Sequence, residues 1–138
     1  MKYVDSNVFI YSLVNPLNDP KTIICRKILF KIANKDIFAA TSFLSWDEFV
    51  YSIYKNLGME LAILEGNKFI RFLNLNFLKV DEEIILKAQD LISEYKIKPR
   101  DAIHAASALI NNIDEIISDD QDFDKIKEIK RIKLEELK

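Results

Sequence analysis

Short apolar segments alternate with segments of helical periodicity along this chain. The N-terminal segment KYVD has the length and hydrophobicity of a buried strand, and apolar residues recur at helical spacing in the SNVFIYSLVN that follows. The same order, a strand and then a helix, returns several times toward the C-terminus. Parallel strands joined by crossover helices produce this order, and the helices then cover both faces of the sheet. The alternation therefore predicts a three-layer α/β/α fold with a central parallel sheet.

The strand and helix segments can be assigned from their length and composition. The apolar segments DIFAATS, NFLKV, DEIIS and IKRIKL predict four further strands after the first, which makes about five in all. Asp19 and Pro20 are typical of the N-cap and first position of a helix, which extends to Lys35. The remaining predicted helices cover 45–58, 59–74, 81–96 and 98–112.

Length and composition limit the class of protein. A chain of 138 residues has the usual size of one domain, so we expect a single domain over 1–138. The only cysteine, Cys25, lies in an apolar helical pattern and is expected to be a buried, unreactive thiol, as suits a reducing cytoplasm. Asp5 interrupts the apolar N-terminus, and no apolar run reaches the roughly 20 residues of a membrane span. We therefore expect a cytoplasmic protein without a membrane anchor.

Acidic residues follow two of the predicted strands directly. Asp5 ends the first strand, and the segment ISDDQDFD after the fourth strand carries four aspartates within six positions, from Asp119 to Asp124. Two such charges about 5 Å apart repel by roughly 3 kcal/mol at an effective dielectric of 20, so the cluster must be solvated or neutralised. In α/β folds ligands bind beyond the carboxyl ends of the strands. If the first and fourth strands are neighbours, these acids converge at that edge of the sheet.

Two helical carboxylates can join the same pocket. Glu48 lies near the start of the helix after the second strand, and Asp101 lies in the first turn of the helix that begins near Pro99. Carboxylate oxygens without His or Cys suit hard divalent cations such as Mg²⁺ and Mn²⁺. Two such ions about 4 Å apart are the catalytic arrangement of many nucleases. The formal charge of −2 gives no general attraction to nucleic acid, so phosphate binding would need cations or local basic groups.

Each of these acids also has a purely structural interpretation. Asp5 can cap the following helix, and Asp101 can be a favourable acid in a first helical turn. Glu48 can be a solvated helix residue for which Asp47 competes, and the aspartates from 119 to 124 can form a turn and a helix cap. His104, the only histidine, lies three residues after Asp101 and could bind metal or substrate. A structural role within an alanine-rich helix is the commoner use of such a residue.

Four segments of the chain, taken in order, resemble the PIN-domain ribonucleases, and VapC-like toxins of type II toxin–antitoxin systems in particular. YVDSNVFIY is similar to the opening strand with its aspartate, and SWDEFVYSI to the helix with the glutamate. KPRDAIHAASAL is similar to the third segment, and IISDDQDF to the final one. Ser118 stands where the family more often has Thr, which keeps the hydroxyl group.

The resemblance implies roles for individual residues. The catalytic, metal-binding acids would be Asp5, Glu48, Asp101 and Asp120, with Asp122 as a supporting metal ligand. Asn7 and Ser118 would orient ligands or water. Asp119 falls at the variable position and would be solvated, and Asp124 would be a cap or a surface acid.

The resemblance also implies a strand order of 3-2-1-4-5, one or two Mg²⁺ or Mn²⁺ ions, an RNA substrate, a homodimer and a small VapB-like antitoxin. Contacts with these protein partners would fall in the helical region from Trp46 to Asn74. Its aromatic residues Tyr51, Tyr54 and Phe72 have spacings that favour the core over the surface.

Three alternatives stay open at this point. The chain could be a PIN-domain nuclease that processes RNA without being a toxin, or a non-catalytic PIN-like module that binds RNA or protein. The complete acid set argues against the second of these, because a binding module needs no such concentration of negative charge. A phosphatase or a phosphorylated signalling domain also has an acid after its first strand, but DSN lacks the second aspartate of the phosphatase motif.

Overall fold

The computed structural model describes residues 1–137 and contains a five-stranded sheet in the order β3-β2-β1-β4-β5. Every neighbouring pair of strands is parallel. The strands are β1 (Lys2–Val4), β2 (Ala39–Ser42), β3 (Leu75–Leu78), β4 (Glu115–Ile117) and β5 (Lys130–Ile132). The predicted fold class and strand order are therefore confirmed.

The helices alternate with the strands as the sequence pattern predicts. They are α1 (Ser6–Leu13), α2 (Pro20–Ala33), α3 (Phe43–Leu57), α4 (Met59–Ile70), α5 (Glu82–Tyr95) and α6 (Pro99–Ile110). Two short 3-10 helices follow β4 and β5, at Gln121–Lys125 and Leu134–Leu137. Gly58 separates α3 from α4 with a φ of 99°, a backbone conformation that residues with a Cβ rarely adopt.

Side chains at the N-termini of three helices satisfy backbone groups that no helical hydrogen bond reaches. Asp5 accepts a hydrogen bond from the Ser6 amide at the start of α1, and Asp19 caps α2 in front of Pro20, as predicted. Asp81 accepts from the Ile84 amide at the start of α5. Each cap stabilises its helix by about 1 kcal/mol.

Successive residues of the central strands face opposite sides of the sheet. Val4 and Ile117 belong to the apolar cluster beneath α1 to α4, whereas Tyr3 and Ile116 belong to the cluster beneath α5 and α6. All of these side chains are fully buried. Cys25 is also fully buried, in the first cluster, which confirms its predicted burial. Burying one large apolar side chain contributes about 1.5–3 kcal/mol, so each face has a substantial core.

The neighbouring positions of β1 and β4 bring the ends of both strands together. Tyr3 pairs with Ile116 and Val4 with Ile117, so Asp5 and Ser118 are the next residues of adjacent strands. The Asp5 amide donates a hydrogen bond to the Ile117 carbonyl oxygen at 3.0 Å. The predicted convergence of the two strand ends is confirmed. Across residues 1–137, no helix combines the length and the apolar character required to cross a membrane.

Candidate functional site

Ser118 connects three of the polar side chains that the sequence analysis singled out. Its hydroxyl donates to Asp5 Oδ2 at 2.6 Å and accepts from the Asp120 amide at 2.9 Å and from Asn7 Nδ2 at 3.3 Å. A serine hydroxyl has one donor and two acceptor positions, and all three are used here. Because Ser118 is fully buried, these bonds fix the ends of β1 and β4 relative to each other.

His104 forms a hydrogen bond with Glu48. Its Nε2 lies 2.5 Å from Glu48 Oε1, and its Nδ1 lies 2.7 Å from the Tyr3 hydroxyl, which also contacts Ser42 Oγ at 2.9 Å. His104 Nε2 is also 3.7 Å from Asp5 Oδ1. With the imidazole 1% exposed, both ring nitrogens find their partners inside the protein. The ring therefore fixes the position of the Glu48 carboxylate.

The environment of this buried group shifts the pKa of both His104 and Asp5. Burial lowers the pKa of His104, but the Tyr3 oxygen, the hydrogen bond to Glu48 and the Asp5 carboxylate together raise it well above its ordinary value. Burial raises the pKa of Asp5, an effect that His104 and the Ser118 hydroxyl oppose. We expect an ionised His104 beside two carboxylates in the folded protein.

Three other carboxylates form a more open cluster. One ligand oxygen from each of Asp101, Asp120 and Asp122 lies within 4.8 Å of the other two. Burial and the charges of Asp120 and Asp5 raise the pKa of Asp101 to about 6. Asp120 is fixed by the hydrogen bond that the Asp122 amide donates to its Oδ1 at 2.9 Å.

This cluster fits a hard divalent cation. Its donors are all carboxylate oxygens, the ligands that Mg²⁺ and Mn²⁺ prefer. Asp101 Oδ2 is buried and has no hydrogen-bond partner among the described residues, although a buried polar atom of this kind normally has one. A cation between the three carboxylates would satisfy that oxygen and offset their repulsion.

The acids open into adjoining cavities at the carboxyl ends of the strands. A cavity of about 540 Å³ is lined by Asp5, Asn7, Glu48, Asp101 and Asp120, with Ser6, Tyr11, Asp119 and Gln121 around them. A second cavity of about 500 Å³ adjoins it and is lined by Glu48, Asp101 and Asp120 together with Lys98, Pro99 and Arg100.

The structure thus brings the predicted site residues to one place, with one distinction among them. Asp5 and Glu48 line the cavity, but among residues 1–137 they lie outside the group of oxygens within 4.8 Å of one another. The structural interpretations also hold, because Asp5 caps α1 and Asp120 caps the 3-10 helix after β4. Capping and a place in the site are therefore compatible.

Three aspartates of the ISDDQDFD segment are paired with basic side chains, and the longest of these pairs joins Asp122 Oδ1 to Lys125 Nζ at 3.5 Å. Asp119 accepts from Lys21 Nζ at 2.6 Å in an exposed ion pair, a contact that the sequence analysis did not predict. Asp124 receives Arg131 Nε and Nη2 at 2.9 and 3.0 Å and is a surface acid, as expected. Arg131 Nη1 also donates to the Ser118 carbonyl oxygen at 3.2 Å. Asp120 and Asp122 are the acids of this segment that lie next to Asp101, and Lys125 partly offsets the charge of Asp122.

The sequence analysis missed the polar chain from Tyr3 through His104 to Glu48. His104 is a buried residue of the alanine-rich helix, as the structural interpretation held, but it also touches a predicted catalytic acid. The available signal was Tyr3, because a tyrosine in a buried strand needs a hydrogen-bond partner for its hydroxyl. The chain contains one histidine, which is the obvious candidate for that partner.

A parallel α/β fold with an all-oxygen acidic cluster at the switch between β1 and β4 is typical of metal-dependent nucleases and of other phosphate-handling proteins. The family model of the PIN domain matches residues 2–129. The chain therefore belongs to the PIN domain family.

Solved structures with the same fold extend over nearly all of the chain. The sarcin-ricin loop cleaving toxin VapC20 of Mycobacterium tuberculosis is 15% identical with a TM-score of 0.72, over 92% of this chain and 95% of that one. VapBC-1 from nontypeable Haemophilus influenzae is 20% identical with a TM-score of 0.70, over 98% and 99% of the two chains. DNA-bound VapBC from Salmonella typhimurium is 19% identical with a TM-score of 0.70, over 97% and 98%. No curated protein sequence matches the chain.

Proposed function

We propose that this protein is a metal-dependent endoribonuclease that hydrolyses RNA phosphodiester bonds, and that it is the toxin of a toxin–antitoxin pair. The observation that carries the nuclease proposal is the Asp101, Asp120 and Asp122 cluster, of which Asp101 and Asp120 line one cavity with Asp5 and Glu48. Membership of the PIN domain family supports the same reaction. The proposed domain spans the whole chain, 1–138.

Asp101, Asp120 and Asp122 would hold Mg²⁺ or Mn²⁺, and Asp5 and Glu48 would complete the ligand set from the other wall of the cavity. A divalent ion at this position supplies a water of lowered pKa and stabilises negative charge on the phosphate. The proposed reaction is direct hydrolysis, in which a bond from water oxygen to phosphorus forms, the bond to the leaving ribose oxygen breaks and that oxygen receives a proton.

The other polar residues of the site position these acids. Ser118 and Asn7 hold Asp5 and the Asp120 backbone, and His104 holds Glu48. The helix dipole at the N-terminus of α1 favours negative charge at Asp5. Preorganised groups of this kind lower the barrier because they need not rearrange during the reaction.

Cleavage of RNA by the purified protein tests the nuclease proposal. With Mg²⁺ or Mn²⁺, single-stranded RNA should be cleaved, and Asp5→Asn or Asp101→Asn should each abolish the cleavage while circular dichroism shows an intact fold. Asp90→Asn, at an exposed position of α5 away from the cavities, is the matched control and should cleave like the wild type. Full activity in both site variants would refute the mechanism.

The toxin role rests on the neighbours, because VapBC complexes share the fold over nearly the whole of both chains. The proposed partners are a small VapB-like antitoxin and a second copy of this chain, with contacts in the region from Trp46 to Asn74. Tyr51 and Tyr54 of α3 are each 51% exposed, so the prediction that they belong to the core was wrong, whereas Phe72 is partly buried.

Expression in a bacterial host tests the toxin role separately. The wild type should stop growth and Asp5→Asn should not. If a short reading frame lies just upstream of the gene, its co-expression should restore growth. A nuclease that is active in vitro but harmless on expression would instead be an RNA-processing enzyme, and the toxin role would be rejected.

A further inference from the structure

A groove beside the acidic cavity has a different chemical character. Its lining comes from α3 and from the start of α6, and we call it the α3–α6 groove. Its volume is about 560 Å³, and its polar lining residues are Asp47, Glu48, Tyr51, Ser52, Lys55, Asn56 and Arg100. Glu48 also lines the acidic cavity, and Arg100 also lines the cavity that contains Asp101 and Asp120. The groove therefore continues directly from the acids.

One face of α3 forms the floor of this groove. Glu48, Tyr51, Ser52 and Lys55 lie at spacings of three and four residues, which places them on the same side of the helix. Lys55 stands about 10 Å along the helix axis from Glu48, since each residue adds about 1.5 Å. A single strand of RNA that lies on this face and reaches Glu48 would pass Lys55 and Tyr51.

The cations of the groove have no acidic partner. Lys55 and Arg100 are exposed, and neither forms an ion pair or a side-chain hydrogen bond with any residue between 1 and 137. Arg100 stays unpaired even though Asp101 follows it in sequence and Glu48 lines the same groove. On the far side of the acidic cavity, by contrast, Lys21 is bound to Asp119 at 2.6 Å. Lys55 and Arg100 are thus unpaired cations beside the site, in a groove that also holds the carboxylates of Asp47 and Glu48.

Tyr51 adds a flat aromatic surface to this positive charge. Its side chain is 51% exposed, and it lines the groove one helical turn before Lys55. Bases of single-stranded nucleic acid stack on aromatic side chains of this kind whatever their sequence, while basic side chains bind the phosphates. The chain as a whole carries a formal charge of −2, so local cations must supply the attraction for phosphate.

We infer that the α3–α6 groove is a subsite for the RNA strand next to the scissile bond, in which Lys55 and Arg100 bind phosphates and Tyr51 stacks on a base. The inference rests on the proposed nuclease function and assigns the side from which the single strand enters the acidic cavity. It gives Tyr51 and Lys55 to RNA, so the proposed protein contacts in the region from Trp46 to Asn74 would use the residues outside this groove. The polar side chains Ser52 and Asn56 share this lining and can contact the sugar and the base edges.

Binding of a fluorescent, single-stranded 12-nucleotide RNA of mixed sequence tests this assignment. The parent for binding is the full chain with Asp101→Asn, which is expected to be inactive and so leaves the RNA uncleaved. In Mg²⁺ buffer, Lys55→Gln with Arg100→Gln should weaken binding at least tenfold at low salt. The slope of log K against log salt should fall in magnitude by about 1.4, or about 0.7 for each phosphate that is no longer neutralised.

The aromatic contribution is tested by a second pair of variants. Tyr51→Ala should weaken binding by about tenfold, the usual contribution of one stacked base, without changing the salt slope. Tyr51→Phe should bind like the parent because it keeps the ring. Lys27→Gln with Lys127→Gln removes the same charge at exposed positions that line none of these three cavities, and it should leave both affinity and slope unchanged.

The possible outcomes separate this inference from the proposed function. A parent that does not bind the RNA, or a Lys55 and Arg100 variant with the parental affinity and slope, overturns the groove assignment. A Tyr51→Ala variant that changes the oligomeric state on gel filtration instead of RNA affinity overturns it as well, because the groove is then a protein interface. Absence of Asp5-dependent cleavage by the wild type overturns the nuclease proposal, and the binding series does not measure cleavage.

Discussion

The carboxylates on the two walls of the acidic cavity differ in their hydrogen-bond partners. On the wall of Asp5 and Glu48 each carboxylate has a fixed partner, Ser118 or His104, at 2.5–2.6 Å. On the wall of Asp101, Asp120 and Asp122 the carboxylates mainly face one another, and one buried oxygen of Asp101 has no partner among the described residues. The carboxylates of the first wall thus have protein partners, whereas one carboxylate oxygen of the second wall is left for a ligand. Asn7 Oδ1, which lines the same cavity, is also buried and has no partner among the described residues.

Repulsion between the carboxylates of the second wall lowers the stability of the protein when no cation is bound. Two carboxylates 4.8 Å apart repel by about 3 kcal/mol at an effective dielectric of 20, against a total stability of about 5–15 kcal/mol for a domain. Protonation of Asp101 relieves part of this repulsion, which contributes to the rise of its pKa to about 6. The difference between the walls predicts that equivalent substitutions will have opposite effects on stability.

The largest expected effect is that of Asp101→Asn on the second wall. Cleavage should fall by about a thousandfold or more, because an oxygen ligand is lost from the charge-stabilising site. The melting temperature without metal should rise, because a repulsive charge is removed, and the increase that Mg²⁺ causes should disappear. Cleavage kinetics measure the first effect, and thermal unfolding with and without Mg²⁺ measures the second. A lower melting temperature without metal would contradict the proposed difference between the two walls.

The next effect is that of His104→Ala on the first wall. The change removes the partner of Glu48, leaves the Tyr3 hydroxyl only its contacts with Ser42 and opens a cavity, so the free energy of unfolding should fall by about 3 kcal/mol. Cleavage should fall by about 10–100-fold, the usual cost of losing a residue that holds a metal ligand in place. Chemical denaturation and initial rates test this, with Ile103→Ala on the neighbouring turn of α6 as a comparison for packing alone. A wild-type cleavage rate in His104→Ala would show that the histidine does not contribute to cleavage.

The pH dependence of stability should report the titration of Asp101 on the second wall. The pKa of Asp101 is raised from 3.8 to about 6 in the folded protein, so the folded state binds this proton more tightly than the unfolded state. Metal-free stability should therefore fall as pH rises from about 4 to 6, and stabilisation by Mg²⁺ should grow over the same window as the proton leaves. Thermal unfolding with and without Mg²⁺ at about pH 5 and about pH 7, on either side of that pKa, measures this. Asp101→Asn should flatten the metal-free change, and a Mg²⁺ effect that is larger at the acidic pH would contradict the assignment.

The smallest expected effect is that of Asp119→Ala, just outside the second wall. Its partly exposed ion pair with Lys21 should contribute only about 0.2–1 kcal/mol, and cleavage should stay within a few-fold of the wild type. Asp120→Ala, one residue further along, should abolish cleavage. Equal damage from the two substitutions in the same assay would show that the wrong aspartate of this segment has been assigned to the metal.

The fold was predictable because its signals are local. Strand and helix periodicities, and caps such as Asp19 with Pro20, indicate an element within a few residues of where it begins. The convergence of Asp5 with Ser118 needed the parallel pairing of β1 and β4. The alternation predicted a parallel sheet, and the family resemblance implied the strand order that makes these two strands neighbours.

The remaining features depend on contacts that periodicity does not encode. The hydrogen bonds from Tyr3 through His104 to Glu48 require a particular packing of β1, α3 and α6, which lie far apart in sequence. The exposure of Tyr51 and Tyr54 could not be read from helical spacing either, because spacing shows which residues share a face but not what covers that face. The pairing of Asp119 with Lys21 likewise joins segments that are distant in sequence.

The edge strands of the sheet restrict how copies of this chain can associate. The outermost strands are brief, four residues in β3 and three in β5, so a strand from another molecule would gain few backbone hydrogen bonds there. Lys130 and Lys133 also place like charges in and just after β5, where two such edges would meet, whereas Arg131 is paired with Asp124. Sheet extension, the usual route to fibrous aggregation, is thus disfavoured, and self-association is directed to the helical surfaces.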